Sequence, residues 1–455
     1  MKFTLCAVLI LSCVVIRNHA LGSEDPFDDL DHPTKEKAKS NDPFDDLDHP
    51  GNKDDPFADI DGATKPKPAA PAKSTKKVAD DKDLFWHLFH DNFTYKKELY
   101  FQLSYSSEKS KTKDELIETI YSRESVGYEI LKKFTTETST VAAFDMQGRM
   151  VRRDHFIETP NDTEGKNRNG WFFEFHNLYW DLYNIFNPFI DDKTRGDNVG
   201  RCNFRAGHFY LPFGLNLQTD THGTLLQLSN DRNFGFERDW YAGLWGSINA
   251  DVNYDVYYLL GSGYNIAFDG QHGMIGSRFS LSNKYRLEYG IEGGISLMSG
   301  QRSSKEGVER SPSVAVHAGA DHIINTERYG LDWRYTRLVP SGSVAFSTEL
   351  SAGHDDRDAI FTQLHQIDYL TVRRQWGLST QYRRFWQDIG PGNMAAADFH
   401  THKTDASIIG EFTWYFRNDI GNSNLHWIKV NVERQLERQM EKPGTIVTLQ
   451  YYHYW

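Results

Sequence analysis

From about Tyr95 to Trp455 the chain alternates apolar and polar residues with a period of two, in segments of roughly ten residues parted by polar turns. That period belongs to strands with two unlike faces. Val252, Tyr254, Val256 and Tyr258 alternate with Asn253, Asp255 and Tyr257, and Tyr329, Leu331, Trp333 and Tyr335 with Gly330, Asp332 and Arg334. Ile408, Phe412, Trp414 and Phe416 alternate with Glu411, Thr413 and Arg417, and Ile428, Val430 and Val432 with Lys429, Asn431 and Glu433. The stretch Tyr285 to Glu292 reads as one more such strand, with Arg286, Glu288 and Glu292 on its polar face. A mean hydropathy of -0.62 with 25% charged residues argues against membrane helices, yet 14% of the residues are aromatic. A barrel reconciles the two, because only alternate residues of each strand touch lipid while the others face water.

The expected fold is therefore all-β: a transmembrane antiparallel β-barrel. About 360 residues at ~22 per strand and loop point to 16 strands, with 18 as the alternative, since bacterial barrels take even numbers. Breaks at 161–170, 299–311, 353–358 and 388–404 have the polar, Gly-rich character of longer extracellular loops. Asn249-Ala250 and Ser282-Asn283 read as short periplasmic hairpin turns, and Trp376 and Trp386 as members of interfacial girdles.

The last strand-like stretch, Thr445 to Trp455, carries Val447, Leu449, Tyr451 and Trp455 on one face, with His453 as the imperfect member. In a barrel that leaves no open edge in lipid, this strand pairs with the first. The segment resembles the terminal signal of bacterial outer-membrane β-barrel proteins. The resemblance implies recognition of Trp455 by the barrel assembly machinery and a bacterial outer-membrane location in a Gram-negative envelope.

The other terminus reads as four zones. Residues 1–22 have a signal peptide's layout: Lys2, an apolar run from Cys6 to Ile16, and small residues at Ala20 and Gly22. With the signal removed, Cys202 is the one remaining cysteine, which excludes an intramolecular disulfide. Residues 23–62 hold three copies of one acidic unit, beginning at Asp25, Asp42 and Asp55, and a solvated acidic tail is one reading of them. Their carboxylates embed Phe27 and Leu30, Phe44 and Leu47, and Phe57 and Ile60, too little apolar surface to repay ordering, so a disordered arm is expected. Those six side chains are candidate anchors for a periplasmic or cell-wall partner, with multivalency raising the apparent affinity. Residues 63–83 are a Lys/Pro/Ala-rich linker, and 84–455 are assigned to the barrel.

One stretch carries a more specific pattern. Gly207-His208-Phe209-Tyr210-Leu211-Pro212-Phe213-Gly214 is followed by Asp220-Thr221-His222-Gly223 and then by Arg238-Asp239-Trp240. This resembles the phosphate-selective porin O/P family, in which Gly-x-Phe-x-x-Pro-Phe-Gly leads into a long segment and an Arg-Asp pair opens the next strand. The resemblance implies a 16-stranded, trimeric, passive channel whose long loops narrow the pore. Physical reasoning points the same way: Pro212 ends ladder pairing, and the residues up to Asp239 are too many for a bare hairpin connection. Leu225, Leu226, Leu228, Phe234 and Phe236 need a place to bury, and the barrel interior is one. Asp220, His222, Asp231, Arg232, Glu237 and Arg238 then become candidates for the constriction; a segment folded over the rim would leave them solvated.

Anion preference needs excess positive charge along the lumen. Arg205, Arg286, Arg334, Arg383 and Arg417 fall on polar faces, but so do Asp255, Glu288, Asp332, Glu411 and Glu433, so the lumen is mixed. A general pore is as consistent with it as a phosphate channel. No catalytic or metal site is expected: His400-Thr401-His402 lacks a further ligand at suitable spacing, and no cofactor motif is present. The net charge of -12 disfavours nucleic acid. The leading expectation is an outer-membrane porin for small hydrophilic solutes or ions, not an enzyme; the alternatives are a tethering barrel acting through its arm and a barrel hydrolase.

Overall fold

The structure, a computed structural model, describes Phe93–Trp455 apart from 111–115, 136–138, 156–169, 188–201, 216–225, 227–229, 231–232, 235, 264–272, 304–322, 357, 389–401, 420–423 and 438–440. The signal segment, the acidic repeats with their six apolar anchors, and the linker lie outside the described residues.

Sixteen antiparallel strands close into a barrel in which each strand bonds its sequence neighbours and the last bonds the first. They are β1 (Phe93–Ser110), β2 (Leu116–Thr135), β3 (Thr140–His155), β4 (Gly170–Leu182), β5 (Cys202–Tyr210), β6 (Arg238–Ser247), β7 (Val252–Leu259) and β8 (Gly273–Leu281). The second half comprises β9 (Ile291–Ser303), β10 (Ile323–Val339), β11 (Gly342–Asp355), β12 (Asp358–Thr371), β13 (Trp376–Asp388), β14 (His402–Asp419), β15 (Asn424–Glu437) and β16 (Glu441–Tyr454). The ring closes where Glu98 faces Tyr454 and Ser106 faces Ile446. At the end of that ladder Lys97 and Trp455 exchange both backbone hydrogen bonds, at 2.8 and 3.0 Å. Closure leaves the sheet without a first or last strand at an open edge, which is what a sheet surrounded by hydrocarbon requires.

The period of two sorts the side chains as the sequence implies. Leu99, Phe101, Leu103 and Tyr105 of β1 and Tyr329, Leu331, Trp333 and Tyr335 of β10 stand exposed on the outer face, while Glu98, Ser104, Arg328 and Asp332 are buried on the inner one. Phe93 and Trp455 share one end of the barrel, here the terminal end, where most connections are short: 248–251, 340–341 and 372–375 hold four, two and four residues. The opposite, loop end carries 156–169, 211–237, 304–322 and 389–401.

Three connections differ from the sequence reading. The stretch 353–358 is a tight turn, not a long loop: Asp355 and Asp358 face each other across the β11–β12 ladder. Their charge belongs to the strands, since Asp355 takes Arg302, Arg328 and Thr326 as partners and Asp358 takes Gln387. The break at 299–311 begins later, because β9 runs on to Ser303. Ser282-Asn283 opens a helix, α1 (Asn283–Tyr289), where a hairpin turn was expected.

That helix overturns the lumenal assignment of Arg286 and Glu288. Both are exposed on α1 at the terminal end. Tyr285 and Tyr289 alternate as strand residues would, but at i and i+4 they also share a helix face, and their rings lie 6.2 Å apart. Tertiary partners decide between the two: Lys284 pairs with Asp251, and the Tyr285 hydroxyl donates to Asp251 Oδ1 at 2.9 Å. The hydrogen bond from Lys284 holds the Asp251 carboxyl below its ordinary range. Gly290 ends the helix at φ 67, a left-handed conformation that favours glycine, and its carbonyl accepts the Thr336 N–H at 2.7 Å.

Arg417 is the second correction. The β14–β15 register shifts between Tyr415 and Arg417, so Phe416 and Arg417 together oppose His426. An extra residue resets the alternation beyond it. Tyr415 faces Trp427, whose side chain packs with Tyr100 and Tyr452, whereas Arg417 comes to lie on the outer face beside His426.

Ring closure gives the first test. Trp455→Asp places a carboxylate at the lipid boundary, at a cost of about 1–3 kcal/mol. The variant should show a smaller fraction of compact, fast-migrating barrel on an unheated gel; a wild-type fraction would mean that closure does not depend on this side chain.

Candidate pore constriction

The described ends of the connection from β5 to β6 turn into the barrel, and the Gly207-to-Gly214 stretch shows how. Gly207 sits at φ 140, and a Cβ there would lie 2.1 Å from the Leu178 carbonyl oxygen, so only glycine lets β5 approach β4 this closely. Phe209 packs its ring 4.6 Å from Tyr179 and beneath the Arg205 guanidinium, 3.9 Å from the ring centroid. β5 stops at Tyr210, ahead of Pro212, whose carbonyl accepts the Tyr257 hydroxyl at 3.1 Å. Phe213 then crosses to the far wall and seats on Gly330 of β10, where an added Cβ would be 2.8 Å from the ring. The Gly214 N–H donates to Ser296 on β9 at 3.1 Å.

The far limb of the segment is locked by one residue. Asn233 Oδ1 accepts hydrogen bonds from Ser351 at 2.5 Å and Thr362 at 2.9 Å, and its backbone carbonyl accepts from Arg328 at 3.0 Å. Three neighbouring strands, β10, β11 and β12, thus hold a single asparagine. The next carbonyl, of Phe234, accepts from Arg302 of β9 at 2.6 Å. Arg302 and Arg328 are themselves bridged by Asp355, at 2.5 and 2.9 Å. Both guanidiniums are fully buried, which is tolerable because a carboxylate and backbone carbonyls meet them. The two limbs join where Asn230 donates to the Phe213 carbonyl at 3.1 Å and the Phe213 and Phe234 rings meet edge to face at 5.1 Å. At the neck, the Leu211 N–H bonds the Glu237 carbonyl at 2.9 Å.

Around this segment lies the largest apolar cluster of the described residues: Leu211, Phe213, Phe234 and Phe236 pack with Tyr241, Tyr257, Leu259, Met274, Met298 and Ile324 from the surrounding wall. Wall residues such as Leu259 and Met274 occupy inward positions that would otherwise face water. The segment gives them an apolar partner.

The sequence-derived candidates fall into three groups. Asp220, His222, Asp231 and Arg232 lie outside the described residues. Glu237 and Arg238 are buried at the neck: Arg238 lies over the Tyr210 ring at 4.1 Å, donates to His176 Nε2 at 2.6 Å, and bonds the Tyr210 hydroxyl. They hold the entry to the segment and do not line an opening.

The remaining lumenal candidates do face inward, and those with a resolved ionic contact are paired. Arg205 makes a bidentate pair with Asp181, both bonds 2.7 Å. Asp332 accepts from Arg278 at 2.6 Å, Asp255 faces Arg278 across the ladder, and Arg334 lies 3.6 Å from Glu292. Arg383 bonds Glu433 at 2.8 Å, and Glu411 accepts from Lys429 at 2.9 Å. The inner wall thus carries both signs in contact, in pairs and in small groups such as Arg302–Asp355–Arg328. Among the described residues no cluster of three His, Cys, Asp or Glu could hold a metal ion.

Sequence reasoning missed the residues that hold the segment: Asn233, Arg302, Arg328 and Asp355. Asn233 has a local signal, a polar residue placed just before two buried phenylalanines. Asp239 was quoted only as part of a motif, yet its carboxylate collects the N–H groups of Gly261, Ser262 and Gly263 at 2.5, 3.2 and 3.1 Å, clasping the start of the β7–β8 connection.

OprB of Pseudomonas putida has the same fold, with a TM-score of 0.51 over 83% of this chain and 97% of that one, at 9% identity. The resemblance is one of fold. An anion-selective porin from Comamonas acidovorans aligns at a TM-score of 0.48 with 10% identity over 80% and 99% of the two chains. The outer-membrane channel DcaP of Acinetobacter baumannii aligns at 0.46 with 8% identity over 79% and 96%. No protein-family model and no curated protein matches the sequence.

Asn233→Ala removes the acceptor shared by the Ser351 and Thr362 hydroxyls, which then keep only their mutual contact at 2.6 Å, a loss of about 1–3 kcal/mol. Gly330→Val removes the seat of Phe213. Each should hasten proteolytic cleavage between 216 and 229 in the folded, heat-modifiable barrel, and cleavage at the wild-type rate would show that these contacts do not hold the segment.

Proposed function

We propose that the protein is an outer-membrane diffusion channel for small hydrophilic solutes or ions, narrowed by the segment from Leu211 to Glu237. The observation that carries this reading is the seating of Asn233 against the inner wall of β10, β11 and β12. A closed barrel with an apolar outside, a polar inside and a segment held part-way across is a channel with an eyelet. Asp220, His222, Asp231 and Arg232, which lie outside the described residues, remain the candidates for the charges this narrowing presents. Neither sign dominates the paired inner wall, so the reading includes no phosphate or general anion preference. It does include a homotrimer, by analogy with porins, and insertion through recognition of Trp455.

Single-channel recording of the purified protein tests this directly. Wild type should conduct, and deletion of Leu225 to Phe234 should raise the conductance. Arg232→Glu should move the reversal potential towards cations, most strongly in dilute salt, where the Debye length approaches ~30 Å at 0.01 M. A barrel that inserts but never conducts would overturn the reading. Unchanged conductance in the deletion would instead remove the segment from the pore.

A further inference from the structure

The outer face of β14–β16 at the terminal end carries charge where a lipid-facing wall is otherwise apolar. The bulge after Tyr415 turns Arg417 outward, and the ladder carries the row on through His426 to His453. The two imidazoles stack at 4.6 Å with 24° between the rings. Aromatic rings bracket them: Phe416 lies 4.6 Å from His426, and Trp455 lies 4.2 Å from His453. Cross-strand neighbours on one face are about 5 Å apart, so three nitrogen-bearing side chains span about 10 Å of the surface.

Further cations flank the row. Lys97, exposed on β1, is the backbone partner of Trp455. On the other side the exposed Arg373 belongs to the turn whose Gln375 carbonyl accepts the Tyr415 N–H at 2.8 Å. Among the described side chains no carboxylate pairs with Arg417, His426 or His453, and the buried His426 Nε2 atom has no hydrogen-bond partner. This contrasts with the inner wall, where the arginines have found carboxylates. Unpaired donors held among rings at the depth of an aromatic girdle are suited to an anionic group that sits at that depth, and the phosphodiester of a phospholipid does.

We propose that this face binds the phosphate of an anionic phospholipid headgroup, with Arg417 and His453 as donors, the His426 ring stacked beneath them, and Phe416 and Trp455 bordering the glycerol and upper acyl carbons. The proposal rests on the outer-membrane reading and adds a lipid site to it.

The test uses the full chain in nanodiscs of equal parts phosphatidylglycerol and phosphatidylethanolamine, with protein-bound lipid counted by native mass spectrometry after release. Wild type should retain phosphatidylglycerol in excess, about five-fold for the guanidinium of Arg417. The double variant Arg417→Gln, His426→Gln should lose that excess while keeping its heat-modifiable mobility, and Arg434→Gln at the loop end should keep it. Inorganic phosphate at millimolar level should not displace the lipid. Equal retention of both lipids by wild type, an unchanged excess in the double variant, or an equal loss in the loop-end control would each overturn the proposal. Displacement by inorganic phosphate would reassign the site to free anions and equally end the lipid proposal. Failure to insert into any nanodisc would overturn the outer-membrane reading itself, an outcome distinct from insertion without lipid selection.

Discussion

Everything in this molecule depends on the pairing of β1 with β16. An unpaired backbone N–H or carbonyl in hydrocarbon costs several kcal/mol, and an open sheet would present a whole row of them. The ladder from Glu98–Tyr454 to Ser106–Ile446 removes that row. Once the ring is closed, each strand has one face for lipid and one for the interior, and the alternation of side chains has a single consistent solution. A slip of one residue would turn every outward tyrosine and leucine inward.

Closure creates a second problem, because a ring of sixteen strands is too wide for its own side chains to fill. The interior is settled in two ways. Where charges face inward they meet opposite charges, as with Arg205 and Asp181 or Lys429 and Glu411, and the desolvation of each is offset by its partner. From β5 to β10 the wall instead presents Phe209, Tyr257, Leu259, Met274 and Met298, and the Leu211–Glu237 segment supplies their apolar complement. Such a segment can be positioned only if its own backbone is satisfied. The buried Arg302–Asp355–Arg328 group exists for the carbonyls of Asn233 and Phe234 as much as for itself.

The same logic separates the two faces chemically. Inside, the arginines with resolved ionic contacts are neutralised by carboxylates. Outside, at the terminal end of β14–β16, His426 and His453 stack between Phe416 and Trp455, and among the described side chains no carboxylate pairs with them or with Arg417. One inserted residue in β14 accounts for the difference, since without the bulge Arg417 would have continued the inner row of Glu411, Thr413 and Tyr415.

The sequence by itself determined the closed barrel, and it favoured sixteen strands over eighteen and an inward dive after Pro212 over a segment folded across the rim, because each rests on local signals: a period of two, the spacing of turns, and a proline that cannot donate to a ladder. It also determined which side chains face in or out wherever strands run without interruption, as in β7, β10 and β15. Only the tertiary structure decided the rest. The strand-like Tyr285 to Tyr289 became helical because Asp251 and Thr336, distant in sequence, hold its two ends. Arg417 moved to the outer face because a bulge is a property of two strands in register. Arg302, Arg328 and Asp355 were invisible as a unit because they lie on three different strands and come together only when β9, β10 and β11 are laid side by side around Asn233. A single residue's periodicity reports its face, whereas its partner is fixed by the ring.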